Sequence, residues 1–168
     1  MIRKFKGILP TVDKSAYVDE SAQVIGDVQI GAESSVWMNV VIRGDVHHIR
    51  IGKRTNIQDL TLLHGMTKTH PTVIGDEVTV GHTVIIHGAT VDDRVLVGMG
   101  AVLLNGVHVE SDCVIAAGTL LTEDTRIPAR SLVMGRPGKV KRTLTDEEVA
   151  EIRWYSEAYV KYRLDYMQ

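Results

Sequence analysis

Residues 91–120 read VDDRVL-VGMGAV-LLNGVH-VESDCV-IAAGTL when the chain is divided into groups of six. An aliphatic residue opens each group, and a small or branched residue usually stands four positions later. An amphipathic helix repeats every 3.6 residues and an ordinary strand every two, so neither explains a period of six. A repeat of this kind indicates a solenoid whose stacked coils bury the aliphatic positions in one core.

The repeat extends in both directions from this stretch. Its anchors, the aliphatic residues that open the groups, are Val18, Val24, Ile30, Val36, Ile42, Ile51, Ile57, Leu63, Ile74, Val80, Ile86, Val91, Val97, Leu103, Val109, Ile115 and Leu121. Glycine often follows an anchor, and we expect it to permit the corner geometry. Three groups to a coil predict a mainly β fold, a parallel β-helix shaped as a three-sided prism, rather than a β-sandwich.

The chain changes character after Leu121. Residues 122–142 are rich in Pro, Gly and charge, and we expect them to form a loop. Thr145 and Glu148 have the spacing of a helical capping box. Apolar residues then follow at steps of three or four and predict a helix packed outside the β-helix: Val149, Ile152, Tyr155, Tyr159, Tyr162 and Tyr166. We therefore expect a β-helix (1–140) and a C-terminal helix (141–168) in a single domain.

Composition argues against several classes of partner. The formal net charge is −2 and no basic stripe is present, which disfavours nucleic acid or an anionic membrane as the main partner. The first residues contain no apolar run long enough for a signal peptide or a membrane span. Cys113 is the single cysteine, so no intrachain disulfide can form. A cytoplasmic location is the resulting expectation.

Counting the groups in threes assigns each anchor to a face of the prism, provided that the insertions after Ile42 and Leu63 leave the corner count unchanged. The first face carries Val24, Ile42, Leu63, Ile86 and Leu103, and the second carries Ile30, Ile51 and Ile74. Glycine follows those second-face anchors, whereas Arg43, His64 and His87 follow first-face anchors. Successive coils are about 4.8 Å apart, so His64 and His87 are expected to stack closely enough to share a metal ion.

A third histidine, His82, lies on the third face in the group anchored by Val80, above Asp59 and beside Gln58. Because His82 and His87 are five residues apart on extended chain, they point to opposite sides. His82 can therefore join the other pair only from a neighbouring chain, and a three-sided prism suits a trimer. Three imidazoles leave one coordination position for water, as in catalytic zinc sites.

Five segments occur in a recognisable order: RGDV (43–46), TNIQD (55–59), LH (63–64), GHTVIIHG (81–88) and GRPGKVKR (135–142). With them, the whole chain resembles the gamma-class carbonic anhydrase family. The glycine-rich repeat alone would also fit hexapeptide acyltransferases. The resemblance implies a left-handed β-helix, a homotrimer with metal sites at its subunit interfaces, and hydration of CO2 to bicarbonate.

The same resemblance implies roles for individual residues. His64 and His87 of one chain and His82 of the next would bind Zn²⁺, and Fe²⁺ or Co²⁺ suit the same imidazoles. Other positions of the family match an ion pair between subunits, polar groups beside the metal-bound water, and a tyrosine near the pocket: Arg43 with Asp45; Asn56, Gln58 and Asp59; and Tyr159.

Two departures from the family predict slow turnover. Val46 stands where the fully active members have a glutamate, and residues 65–71 lack the acid that serves as proton shuttle. His70 or His47 could relay protons instead, since imidazole titrates near neutral pH. Two other functions remain open on the sequence: a metal-binding protein with another role, such as thioester hydrolysis, and a CoA-dependent acyltransferase.

Overall fold

The computed structural model describes residues 1–168 and shows a left-handed parallel β-helix of about seven turns, followed by one α-helix. The fold predicted from the repeat and the family resemblance is thereby confirmed. The strands are β1 (Ile2–Arg3), β2 (Thr11–Val12), β3 (Tyr17–Val18), β4 (Gln23–Ile30), β5 (Ser35–Val36), β6 (Val41–Ile51), β7 (Asn56–Ile57), β8 (Leu62–His64), β9 (Thr72–Ile74), β10 (Thr79–Val80), β11 (Ile85–His87), β12 (Thr90–Val91), β13 (Leu96–Val97), β14 (Val102–Leu103), β15 (His108–Val109), β16 (Val114–Ile115), β17 (Leu120–Leu121), β18 (Arg126–Ile127), β19 (Ser131–Gly135) and β20 (Gly138–Thr143). The helix α1 spans Asp146–Tyr166.

Parallel pairing between coils stacks the anchors in the three predicted columns. On the first face the register joins Val24, Ile42, Leu63, Ile86 and Leu103 in that order. The two insertions therefore leave the corner count unchanged. The anchors and the small residues between them form one cluster of 29 buried side chains, none of them aromatic. The interior is thus an aliphatic column, and the aromatic residues lie outside it.

Most corners turn through the third residue after an anchor, which has left-handed backbone; Arg54 and Glu77, for example, have φ values of 56° and 57°. The glycines that directly follow anchors have another role. A Cβ added at Gly52 or Gly98 would lie 2.5 Å from the backbone of the next coil, although neither residue has positive φ. The expectation that these glycines permit corner geometry is wrong. They are needed where stacked coils approach too closely for a side chain.

Residues 122–142 do not form the expected loop. They complete the solenoid with β18 and β19, and β19 then pairs with β20 in an antiparallel hairpin. The hairpin reverses at a cis bond between Arg136 and Pro137. Composition concealed these strands, because the Pro and Gly of the turns dominate so short a segment. β20 ends at Thr143, so the expected division after residue 140 falls inside a strand.

The helix begins with the predicted capping box: the amide of Glu148 donates to Thr145 Oγ1 (3.3 Å), and the amide of Thr145 donates to Glu148 Oε2 (2.9 Å). Its first turns bury Val149 and Ile152 against the third face, on Leu96, Val114 and Leu132. No helix in the structure combines the length and apolar character that a bilayer crossing needs.

The rest of the predicted stripe differs in part from the structure. Tyr159 contacts Trp37 edge-on, with 5.4 Å between ring centroids. Tyr162 and Tyr166 are about half exposed, whereas Ser156 and Arg163 are buried. A polar residue can occupy the buried face because Arg163 finds a partner on the β-helix, described below.

Candidate metal centre

His64 ends β8 and His87 ends β11, and the parallel register places the two residues side by side. Buried Thr72 connects them, because its hydroxyl donates to the carbonyl of His64 and accepts from the amide of Gly88 (3.0 Å). His64 Nδ1 and His87 Nε2 are 3.1 Å apart. The stacked pair predicted from the column count is therefore present.

The outer nitrogen of each ring donates a hydrogen bond to a side-chain oxygen. His64 Nε2 lies 2.9 Å from Asp45 Oδ1, and His87 Nδ1 lies 2.8 Å from Asn105 Oδ1. The amide orientation of Asn105 is set by its Nδ2, which donates to Glu123 Oε1 (3.1 Å). In a neutral imidazole only one nitrogen carries hydrogen. The inner nitrogens therefore carry no hydrogen, and their lone pairs face each other.

Two lone pairs at this distance repel each other unless a cation lies between them. Protonation of one ring would also remove this repulsion. However, burial and the charge of Arg43 lower the pKa of His64, so protonation of this ring is disfavoured. Two nitrogens bound to one tetrahedral zinc ion at about 2.0–2.1 Å would be roughly 3.3–3.4 Å apart. The observed 3.1 Å is close to that value, so the pair fits two ligands of one metal ion.

His82 has the same arrangement on the third face. Its Nδ1 lies 3.0 Å from Asp59 Oδ2, which leaves the Nε2 lone pair free. Metal-binding histidines almost always donate their second nitrogen in this way. The side chain of His82 is 44% exposed, against 12% for His64, so it is accessible from outside the chain. Within one chain no three metal-binding side chains come together.

Asp45 links the histidine to Arg43. The Arg43 guanidinium donates to Asp45 Oδ2 within the same chain and also approaches His64 Nδ1 at 3.5 Å. Burial raises the pKa of Asp45, but the hydrogen bonds from Arg43 and His64 outweigh it and hold that pKa below its usual value. The carboxylate therefore stays ionised as an acceptor for His64. The ion pair between subunits expected for Arg43 and Asp45 stays a prediction, beside the within-chain pair seen here.

The other predicted site residues gather near His82. Asn56 is buried between Thr79 Oγ1, to which its Nδ2 donates (2.9 Å), and Gln58, from which its Oδ1 accepts (3.1 Å). Gln58, His82 and Tyr159 line one cavity of about 410 Å³ between the third face and α1. Burial, and the charge of Asp59, raise the pKa of Tyr159, so its hydroxyl remains a donor at neutral pH.

The two candidate relay histidines lie behind the stacked pair. A Cβ added at Gly65, directly after His64, would be 3.2 Å from Cβ of His47. One added at Gly88, directly after His87, would be 2.8 Å from Cβ of His70. Val46, directly before His47, is 38% exposed and has no proton to transfer.

Several residues of the site were missed by sequence reasoning. Asn105 accepts from His87 and lies two residues after Leu103, the anchor one coil further along the same face. Thr72 contacts the histidine strands from a neighbouring face. Asn105-Gly106 has the sequence of a turn, which conceals the side chain's second role. Trp154, Tyr155 and Met99 form much of the cavity wall. Their contribution follows only from where α1 lies.

Comparisons with known proteins identify the family of the chain. The family described as "hexapeptide repeat of succinyl-transferase" matches residues 71–105 and 93–123. A carbonic anhydrase of Geobacillus kaustophilus is 42% identical over 161 residues, which are 96% of this chain and 88% of that protein. The chain belongs to the gamma-class carbonic anhydrase family.

Two further matches, one in sequence and one in structure, carry different names. Mitochondrial gamma carbonic anhydrase 2 of Arabidopsis thaliana is 52% identical over 157 residues, 90% of this chain. This match spans 56% of the plant protein, so the chain corresponds to about half the length of that relative. The structure of a hexapeptide transferase family protein from Anaplasma phagocytophilum has a TM-score of 0.94 at 38% identity, covering 98% of this chain and 97% of that one.

Proposed function

We propose that the protein hydrates CO2 reversibly to bicarbonate at a metal centre shared by two copies of the chain. The observation that carries the proposal is the pair of facing lone pairs on His64 and His87, 3.1 Å apart. His64 and His87 of one copy and His82 of the next would hold the ion in a homotrimer. Zn²⁺ is the proposed metal, and Fe²⁺ and Co²⁺ fit the same imidazoles. The names of the carbonic anhydrase relatives support this reaction.

A divalent cation held by these three imidazoles would supply Lewis-acid chemistry and lower the pKa of a bound water. The protein's residues orient the reactants. Asn56 Oδ1 accepts from one N–H of the Gln58 amide and so fixes its orientation. The other N–H of Gln58 can then donate to an oxygen of the reactants, and its Oε1 can accept from a hydroxyl group. The Tyr159 hydroxyl can donate to a bicarbonate oxygen. Asp45, Asn105 and Asp59 keep the three imidazoles in the tautomers that face the ion.

Proton release is the step that the family resemblance leads us to expect to be slow in this chain. Residues 65–71 contain no acid, but His47 and His70 pack against the residues that follow His64 and His87. We propose that these two imidazoles pass the proton to solvent, and that turnover is slow without a carboxylate. The variants His47→Ala and His70→Ala should lose rate in dilute buffer and recover it when imidazole is added. Loss without recovery would contradict the relay.

The cavity favours a second candidate reaction. Its volume of about 410 Å³ is larger than CO2 needs. Its mainly apolar lining would accept the acyl part of a small thioester. Water would add to the carbonyl carbon, the carbon–sulfur bond would break, and the thiol would leave with a proton. A CoA-dependent acyltransferase, the third candidate, needs no metal. Full acyl transfer from CoA by metal-free protein would therefore favour the acyltransferase over both CO2 hydration and thioester hydrolysis.

The shared site can be tested by mixing variants. His82→Ala and His87→Ala chains should each lose the metal, whereas His70→Ala should keep it. In any trimer assembled from both defective chains, one interface of three combines an intact His64–His87 pair with an intact His82. Metal content should then return to about one ion per mixed trimer. Stopped-flow CO2 hydration on metal-analysed protein tests the reaction, and no rate at full metal occupancy would exclude it.

A further inference from the structure

One corner of the β-helix has a charged side chain at every left-handed position. Between the second and third faces, the third residue after each anchor alternates in sign along the axis: Glu33, Arg54, Glu77, Arg94, Asp112 and Arg130. Their φ values are 55° to 60°, a conformation that costs energy for residues with a Cβ. The equivalent positions between the third and first faces are uncharged: Asn39, Leu60, Thr83, Gly100 and Gly118. The charge ladder, as we name these six residues, is specific to one corner.

Three of the five neighbouring pairs in the charge ladder form ion pairs across the coils. Arg54 Nη1 lies 3.4 Å from Glu33 Oε2, and its Nε lies 3.5 Å from Glu77 Oε1. Further along, Arg94 Nε donates to Asp112 Oδ1 at 2.7 Å. The hydrogen bond to Asp112, and the charges of Asp112, Asp93 and Glu77, raise the pKa of Arg94. Opposite charges one coil apart therefore stabilise the stacking along this edge.

Both ends of the charge ladder bind α1. At one end Arg130 Nη2 donates to Asp146 Oδ1 (2.6 Å), in the first turn of the helix. At the other end Arg163, with only 6% of its side chain exposed, donates through Nε to the Glu33 carbonyl (3.2 Å) and through Nη2 to Glu33 Oε1 (3.2 Å). No other contact of the helix with this corner involves ionised groups on both sides.

The two lengths match. From Asp146 to Arg163 a helix rises about 25 Å at 1.5 Å per residue. From Glu33 to Arg130 the charge ladder climbs five coils, or about 24 Å at the interstrand spacing. The helix therefore runs antiparallel to the axis and is held at both ends with little slack. Sliding it by one turn would break both contacts.

Tyr159 lies one helical turn before Arg163 and contacts Trp37 on the β-helix. Tyr166, 5.0 Å from the same Trp37, lies on the other side of Arg163. We propose that Arg163 and Glu33 are positioning residues: their ion pair sets the height and rotation of α1, and so places Tyr159 over Gln58 and His82. The role of this placement in catalysis rests on the proposed function, whereas the placement itself does not.

The test compares Glu33→Gln with Asp27→Asn in otherwise intact protein. Asp27 is a matched control, because it is 38% exposed, against 42% for Glu33, and pairs with Arg50 at 2.8 Å far from α1. Losing a charged hydrogen bond should speed amide exchange in residues 156–166 by roughly 10- to 150-fold. In a Trp154→Phe background, Trp37 is the sole tryptophan and should become more accessible to acrylamide. Asp27→Asn should change neither quantity.

A second variant separates the ion pair from a general loss of fold. Adding Arg163→Met to Glu33→Gln removes the buried charge that the first change leaves without its carboxylate, so exchange should slow again. Unchanged exchange in Glu33→Gln, or no recovery in the double variant, overturns the proposal. If the wild type hydrates CO2, kcat should fall in Glu33→Gln at constant metal content. An inactive, metal-loaded wild type would refute the proposed function alone, since exchange and quenching still decide the placement.

Discussion

The contact between Asn105 and His87 allows a sharp test of the proposed metal site. Replacing Asn105 with leucine removes the oxygen that accepts from His87 Nδ1 at 2.8 Å. The imidazole can then exchange tautomers and rotate, so its Nε2 lone pair no longer faces His64 at all times. A lost partner of this kind costs roughly 1–3 kcal/mol, and removing the hydrogen-bond partner of a metal-binding histidine weakens metal binding by about 10- to 100-fold.

The exposure of the site sets the value within that range. Asn105 is half-buried, so water can replace part of the lost hydrogen bond. We therefore expect Asn105→Leu to weaken metal binding by about 10-fold, or about 1.4 kcal/mol. Competition with a chromophoric chelator measures the dissociation constant directly, and circular dichroism shows whether the fold is kept.

A matched variant keeps the acceptor. Asn105→Asp retains the oxygen that faces His87, and a simultaneous Glu123→Gln avoids like charges where Asn105 Nδ2 now donates. The double variant should bind metal within about 3-fold of the wild type, by the same hydrogen-bond argument. If the folded leucine variant binds as tightly as the wild type, the inference that Asn105 fixes the tautomer of His87 is refuted.

Two further predictions concern stability, measured by urea denaturation. A methyl group at Gly98 would lie 2.5 Å from backbone of the next coil, so Gly98→Ala should cost about 3 kcal/mol. Gly118→Ala meets no atom within 4 Å and should cost only about 1 kcal/mol of backbone strain; equal losses would contradict the packing argument. Burial raises the pKa of Cys113 to about 11, so stability should hold below about pH 8.5 and fall as the pH rises towards 11. Cys113→Ala should remove the part of this fall between about pH 8.5 and 10, below the range in which tyrosines ionise, and an unchanged pH profile there would contradict it.

The functions that the sequence left open require different features of the structure. An acyltransferase on this fold does not need lone pairs that face each other, whereas the arrangement of His64 and His87 is costly without a cation. Hydration and thioester hydrolysis share that cation and differ in the size of substrate. The choice between them therefore rests on which of the two substrates the metal-loaded protein converts.

The period of six was sufficient to predict which residues share a column. In a parallel solenoid each coil advances by one interstrand spacing, so counting residues is equivalent to measuring position along the axis. For this reason His64 and His87 could be paired from sequence across 23 residues of chain, and Asp59 could be placed beneath His82. The insertions did not disturb this count, because they project from the coil without changing its corners.

Counting does not predict contacts between different columns. Asn105 and Thr72 reach the histidines from another coil position and another face, and the direction of their side chains follows from corner geometry. The hairpin after Ser131 was concealed for a related reason, since strand pairing there depends on a reversal that composition describes only as a turn.

By itself, the sequence determined the solenoid, its three columns and the stacking of the histidines, because one local period repeats at constant rise. Only the tertiary structure decided which ring nitrogen faces inward, which glycines are required by close approach, and how α1 is held. These features depend on side chains that meet across coils and faces, at separations that no periodicity in the chain encodes.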